Sequence, residues 1–387
     1  MANYDYEIVN GRKIRVRPKE TVSEIDKNGY FRRQPNHFTT PFGDGENDLK
    51  AEGNKRYRLV WAKLCHWSNR AAIVRELEGL EDQISVNMVE HAPHGKNLGW
   101  EYVYNENNID PVLGDQFLSE AYYRADDDYQ GRTTVPALID TTTGKVVNND
   151  YNWLTTYFEV NFRPWHKKGA PELYPVELRE EIDKMNLWLF DNINNAVYRS
   201  SFSRSNEGHF DGVNTFYAAM DRLEKRLETN RFLFGDYVTD SDIRLYVTLA
   251  RLDIRYTAQL GETKHPLYTY KNLWGYAKEL WEIPAFKNNT FFADFAVPPA
   301  DAKGRIEGEE DGFRASTHYD LALPKIDWDA QWKVSTERAY LSSDPTHPIY
   351  LGNNRRFDID PTWYDLGAES PKKEEKETPP SCGCCCG

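Results

Sequence analysis

Cysteine is nearly absent from the body of this 387-residue chain: of its five, Cys382, Cys384, Cys385 and Cys386 crowd the last six positions, and Cys65 alone stands among the rest. No disulfide framework is legible, which fits a reducing compartment. Long apolar runs are missing too. No stretch is long enough to span a bilayer, and residues Met1 to Arg15 carry no apolar core of a leader, so a cytoplasmic protein without a membrane partner is expected. An excess of positive charge is also lacking. With 48 Lys and Arg against 61 Asp and Glu, the net charge is −13, which argues against nucleic acid or an anionic membrane as the main partner. What the chain has in quantity is apolar and aromatic surface: 40% hydrophobic residues, with 11 Trp, 24 Tyr and 18 Phe. That is enough for two domains plus extensions, with flat side chains left over to line a site for an aromatic ligand.

The solitary Cys65 falls where a strand hands over to a helix. Leu59, Val60 and Trp61 form a buried apolar run, and after Cys65 the residues Ala71, Val74 and Leu77 recur at helical spacing. A thiol at a helix N-terminus faces free N–H groups and partial positive charge, both of which favour thiolate over thiol. Three places on stands Ser68 rather than a second cysteine, so an intramolecular disulfide is unavailable. A monothiol needs an outside thiol to complete a redox cycle, which points to a mixed disulfide with a small thiol such as glutathione.

Residues 1–50 read as an irregular arm. Residues 51–165 read as an α/β domain: after the strand and helix flanking Cys65, residues 84–89 alternate as a strand, residues 117–123 suit a helix, and Val135 to Asp140 and Lys145 to Asn148 make two strands joined by a turn, with a helix beginning near Asn149 and Asp150. That order is thioredoxin-like. Residues 172–296 change period, with Leu178, Ile182, Met185, Leu189 and Ile193 stepping by fours and threes, and read as an all-helical domain. Within it Thr239 and Asp242 are spaced as a capping box, with Val238 and Ile243 as its hydrophobic staple, which is a structural role. Residues 297–366 read as an extension anchored by Trp328, Trp332 and Trp363. Residues 367–387 read as a disordered tail whose four thiols suit no zinc site.

A thioredoxin-like domain with a monothiol followed by a helical domain resembles a glutathione transferase, and the local motifs resemble the xi class, the S-glutathionyl-hydroquinone reductases. Their Cys-Pro-Trp-Ala-His-Arg motif is matched by Cys65-His66-Trp67-Ser68-Asn69-Arg70, and further matches fall at Gly79 to Asp82, Gly99-Trp100, Gly131 to Pro136, Asn194 to Tyr198, Asp242 to Leu245, Arg251 to Asp253 and Tyr270 to Tyr276. The resemblance spans about Phe31 to Phe295. It implies an α/β thioredoxin-like N-terminal domain plus an all-α glutathione-transferase C-terminal domain, a homodimer, glutathione as co-substrate and no metal. It also implies an aromatic thiol conjugate as small-molecule partner. Cys65 would attack the sulfur of a glutathionyl-hydroquinone, and Tyr198 would stand over the ring. Trp100, Arg132 and Val135 would hold the tripeptide, with Pro136 in the cis form.

Three departures stand out. His66 replaces the motif proline and is expected to face solvent, and Ser68 replaces alanine. At Asp150-Tyr151 the family has a Glu-Ser pair that grips the γ-glutamyl end, so the bound thiol is either glutathione or a relative such as γ-glutamylcysteine. Beyond Phe295, the family's His-Tyr-Tyr element has its nearest counterpart at His318-Tyr319, which makes Tyr319 a candidate site residue. Two other readings stay open at this level: a glutathione lyase or transferase acting on aryl ethers, and a non-catalytic relative that only binds.

Overall fold

In the computed structural model, residues 4–17, 23–91, 98–260, 265–295, 327–333 and 338–342 are described. His318, Tyr319, Trp363 and the cysteine-rich tail lie outside them. Near the start, β1 (Tyr6–Val9) and β2 (Arg12–Arg15) pair antiparallel, so the arm expected to be irregular contains a hairpin. Its turn is Asn10-Gly11, both with positive φ (49° and 78°), the pair that a two-residue hairpin turn requires. Val9, Ile14 and Val16 bury their side chains with Leu98 and Phe117.

The α/β half is built on β3 (Tyr57–Trp61), all five of whose residues are buried. The chain continues through α1 (His66–Leu77) into β4 (Ile84–Met88), which lies parallel to β3 with Tyr57 opposite Ile84. A short antiparallel pair, β5 (Glu90–His91) and β6 (Trp100–Glu101), precedes α2 (Leu118–Ala125). Then β7 (Ala137–Asp140) pairs antiparallel with β3, and β8 (Lys145–Asn148) with β7, giving the sheet order β4-β3-β7-β8. The next helix, α3 (Leu154–Val160), starts later than its sequence suggests. The Asp150 amide donates to Asn148 Oδ1 (2.9 Å) and the Asn152 amide to Asp150 Oδ1 (2.9 Å), and such local side-chain bonds hold the backbone in turns instead of helix.

The second half is helical: α4 (Arg179–Leu189), α5 (Ala196–Phe202), α6 (Asn206–Arg226), α7 (Asp240–Arg251), α8 (Thr257–Leu260), α9 (Lys271–Trp281), α10 (Pro284–Asn288) and α11 (Phe292–Phe295). Two five-residue π turns interrupt it, Phe190–Asn194 after α4 and Leu252–Tyr256 after α7. Each re-aims the side chains that follow. Farther along, Trp332 is 2% exposed and packs its ring 5.0 Å from those of Trp274 and Phe292. Arg338 donates to the Leu227 and Asn230 carbonyls (2.9 and 2.7 Å).

The α7 N-terminus is a node of buried hydrogen bonds. Asp242 accepts from the Thr239 amide (2.8 Å), the Leu233 amide (2.9 Å) and the Tyr276 hydroxyl (2.8 Å). Asp242→Ala strands all three donors away from water and is expected to cost on the order of 3 kcal/mol or more, read as a lower urea midpoint. A loss below about 1 kcal/mol contradicts the assignment.

Between the two halves, α1, α3 and α7 enclose charge. Asp240 accepts from Thr155 Oγ1 (3.1 Å), Asn186 Nδ2 (2.9 Å) and Arg244 Nε (2.6 Å). The neighbouring Glu159 is pushed well above the ordinary glutamate value of 4.5, by burial first and then by the Asp240 carboxylate. A carboxyl whose folded value exceeds its unfolded one contributes stability below the unfolded value and loses it as pH climbs through the folded one. Glu159→Gln should therefore gain on wild type as pH rises from about 5 to about 8. Denaturation midpoints that run parallel over that range rule this out.

Candidate active site

Cys65 is the residue that caps α1. Its backbone is extended (φ −85°, ψ 114°) and its carbonyl accepts the Asn69 amide at 3.0 Å. The sulfur lies 3.7 Å from the Val135 carbonyl, and the Val135–Pro136 bond is cis. Ser68 tightens the turn: its hydroxyl oxygen accepts the Ala62 amide at 3.1 Å. From the helical half, Arg251 donates to the Lys63 carbonyl at 2.8 Å and the Leu64 carbonyl at 2.9 Å, just ahead of the cysteine. His66 does not face solvent. It is 1% exposed, with Nδ1 3.0 Å from Thr248 Oγ1 on α7, because α7 packs along α1 at this position. Burial, then Arg251, Arg33 and Arg70, hold its pKa well below 6.5, so the ring is neutral.

Flat side chains gather beside the sulfur. The Trp67 ring lies 4.8 Å from Tyr151, 5.5 Å from Phe190 and 5.8 Å from Tyr198, and Tyr151 stacks on Phe190. Tyr198 is raised in pKa by burial and then by Cys65, and its ring centre lies 6.3 Å from that of Tyr256, whose own value burial raises well above the ordinary tyrosine range. Above these rings sits one cation. The Arg33 guanidinium carbon lies 4.5 Å from the Tyr198 ring centre and 4.7 Å from that of Trp67, and Asn195 Oδ1 accepts from its Nε at 2.9 Å.

The other residues singled out in the sequence are placed as follows. Trp100 is buried in the same cluster as Cys65, but its indole N–H donates to the Thr133 carbonyl (3.1 Å) and its ring stacks on His91 at 4.1 Å. Gly99 before it has φ +76°, and a Cβ there would meet Thr133 Oγ1 at 2.8 Å. Arg132 makes a two-pronged pair with Glu24 of the arm (2.8 and 2.9 Å). Asp150 accepts from Asn36 Nδ2 at 2.8 Å. Cys65, Val135, Pro136, Tyr151 and Tyr198 thus come together, while Trp100 and Arg132 spend their polar groups on neighbours. Sequence reasoning missed Arg33, Phe190 and Tyr256. Arg33 meets Asn195 across 162 residues, a contact no local pattern signals. Among the described residues, no group of three or more His, Cys, Asp or Glu is arranged to hold a metal. A surface cleft lined by Glu52, Lys55, Arg56, Thr141 and Trp165 lies at the far end of β3 from Cys65 and shares no residue with the cluster.

Residues 197–279 match the glutathione S-transferase C-terminal domain family. The chain is 34% identical over 278 residues to the omega-like glutathione S-transferase 2 of Schizosaccharomyces pombe, covering 69% of this chain and 87% of that one. It is also 34% identical over 242 residues to the glutathionyl-hydroquinone reductase YqjG of Escherichia coli, covering 61% and 72%. The glutathione-bound structure of YqjG superposes with a TM-score of 0.61 over 70% of this chain and 88% of that one, at 31% identity. The xi glutathione S-transferase of Phanerochaete chrysosporium superposes with a TM-score of 0.64 over 69% and 91%, at 33% identity. With its α/β half, its helical half and these relatives, the chain is an enzyme belonging to the xi-class glutathione transferases, the S-glutathionyl-hydroquinone reductase family.

Proposed function

We propose that this protein reduces S-glutathionyl-hydroquinones to hydroquinones through a mixed disulfide on Cys65. The observation that carries the reading is the sulfur itself, a solitary thiol at the mouth of α1, 3.7 Å from the Val135 carbonyl and beside an aromatic wall. The Cys65 thiolate attacks the sulfur of the conjugate. A sulfur–sulfur bond forms, the bond from sulfur to ring carbon breaks, and its electron pair stays with the ring, which is released as hydroquinone once it takes a proton. A second glutathione thiolate then attacks the glutathione sulfur of the mixed disulfide, freeing Cys65 and releasing glutathione disulfide. The conjugate is reduced by two electrons, and two glutathione sulfurs are oxidised. Such chemistry calls for a compartment rich in reduced glutathione, as the cytoplasm is.

Cys65 stands at the N-terminus of α1, and Arg251 donates to the two carbonyls just ahead of it, which fixes the turn that presents the sulfur. Trp67, Tyr151, Phe190 and Tyr198 offer flat faces to the ring, and Tyr198 is the proton donor at the departing group. Support for glutathione as the thiol comes from the relative whose structure holds it.

With glutathionylated menadiol and reduced glutathione, wild type is expected to release menadiol and to carry one glutathione adduct by intact mass. Cys65→Ala should do neither while keeping its circular dichroism, and undiminished turnover in that variant rejects the mechanism. Tyr198→Phe, which loses only the donated proton, is expected to lower kcat roughly 10²-fold. A conjugate joined through an ether oxygen that outperforms the thioether would move the assignment to a lyase.

Tyr151 stands where the family pattern has a serine, and its ring fills space against Phe190. Tyr151→Ser is therefore expected to lower the KM for glutathione, by up to roughly tenfold for one added hydrogen bond. An unchanged or higher KM shows that this position does not limit thiol binding.

A further inference from the structure

Among the described residues, the cation over the aromatic wall forms no ion pair of its own. Glu24, an arm carboxylate that Arg33 feels electrostatically, is taken up by the Arg132 fork and the Gln34 amide (2.8 Å). Asp150 is taken up by Asn36 and the Asn152 amide. Arg33 Nε is held by Asn195, and its Nη2 is shut off from solvent with no hydrogen-bond partner among the described residues. The indole N–H of Trp67, whose ring Arg33 covers, is likewise buried and unpartnered. Among the described residues, two buried donors are thus without acceptors here, one on the guanidinium over the Trp67 and Tyr198 rings and one on the edge of Trp67 itself. A buried donor left unsatisfied costs on the order of 1–3 kcal/mol, and an ion more, so an arrangement of this kind is explained if an acceptor arrives with the ligand.

Resting on the reductase reading above, we propose that Arg33 is a catalytic residue that binds the ring oxygen on which negative charge develops as the carbon–sulfur bond breaks. The leaving group gives the reason. In the keto tautomer of the conjugate, the carbon bearing sulfur is tetrahedral and sits beside a ring carbonyl. When Cys65 attacks the sulfur, the carbon–sulfur pair flows into the ring and onto that oxygen, producing the phenolate of the hydroquinone. The phenolate takes its proton from Tyr198. Over the whole cycle the thiol proton of the second glutathione ends on the hydroquinone, and Tyr198 is restored. A guanidinium stacked on the neighbouring rings, with one amino group unbonded, meets this oxyanion without having to break an ion pair first. Preorganised donors aimed at charge that appears only in the transition state act on kcat more than on KM.

The test uses the full chain with two conjugates, glutathionylated menadiol and a glutathionylated dichlorohydroquinone, whose more acidic hydroxyls need less help. Arg33→Met is expected to lower kcat for the menadiol conjugate roughly 10²–10³-fold with little change in KM for glutathione. The loss should be smaller for the chlorinated conjugate, and Arg33→Lys should recover part of it. The rate of Cys65 alkylation by iodoacetamide, which involves no ring, reports on the nucleophile and the fold and should stay near wild type. Equal losses on both conjugates, a kcat near wild type, or an effect confined to the KM for glutathione each overturn the proposal, the last by showing a carboxylate-binding role. Collapse of alkylation in both variants also overturns it, because Arg33 would then be shown to support the sulfur instead of the ring. If wild type itself releases no hydroquinone from either conjugate, the reductase reading fails and this inference falls with it, an outcome distinct from failure of the variants alone.

Discussion

The structure turns on a buried guanidinium. Arg251 is fully buried, and it lies at the end of α7 with its nitrogens directed to the carbonyls of Lys63, Leu64 and its own helix partner Val247 (2.8 to 2.9 Å). Its flat face lies 3.9 Å from the Phe295 ring centre. A cation stripped of water is stable only if its donors are met, and here two of its three hydrogen bonds go to the turn that presents Cys65. The turn cannot drift from the helical half without stranding that charge. His66 against Thr248 and Ser68 against Ala62 complete the clamp, so Cys65 is positioned by both halves of the chain at once.

The same burial gives the site its chemical character. Trp67, Tyr151, Phe190 and Tyr198 pack in one cluster with the buried Cys65, and in a buried medium each charge acts at longer range and greater strength than in solvent. A neutral His66, the neighbouring rings of Tyr198 and Tyr256 and two arginines are what remain. Arg251 is held at the carbonyls just ahead of Cys65, and Arg33 stands over the rings of Trp67 and Tyr198.

Much of this was legible in the chain. The strand run ending at Trp61, the helical spacing after Cys65 and the alternation from Ile84 each follow from local periodicity, because a fully buried strand and a two-sided buried helix leave apolar signatures that nothing else in the neighbourhood mimics. The hairpin in the arm was legible too, in Asn10-Gly11, yet is easily passed over where the flanking residues are charged and β1 has three exposed positions. The late start of α3 is a case of local side-chain bonding at Asn148 and Asp150 overriding a reasonable helix signal. His66 is different in kind. A polar residue after a helix cap is an ordinary surface residue until another helix is laid on it, and only the docking of α7 turns it into a buried neutral ring.

Sequence alone determined the solitary thiol at a strand-to-helix junction, the two-part architecture and the capping box of α7, since each depends on residues within a few turns of one another. Tertiary structure decided the fates of Arg132, held by Glu24, and of Arg33, suspended over Trp67 and Tyr198 with an amino group left over. The reason is physical: the worth of a charged side chain is set by the solvent it loses and the partners it meets, and both depend on segments more than a hundred residues apart being brought into contact by burial of the apolar surface between them.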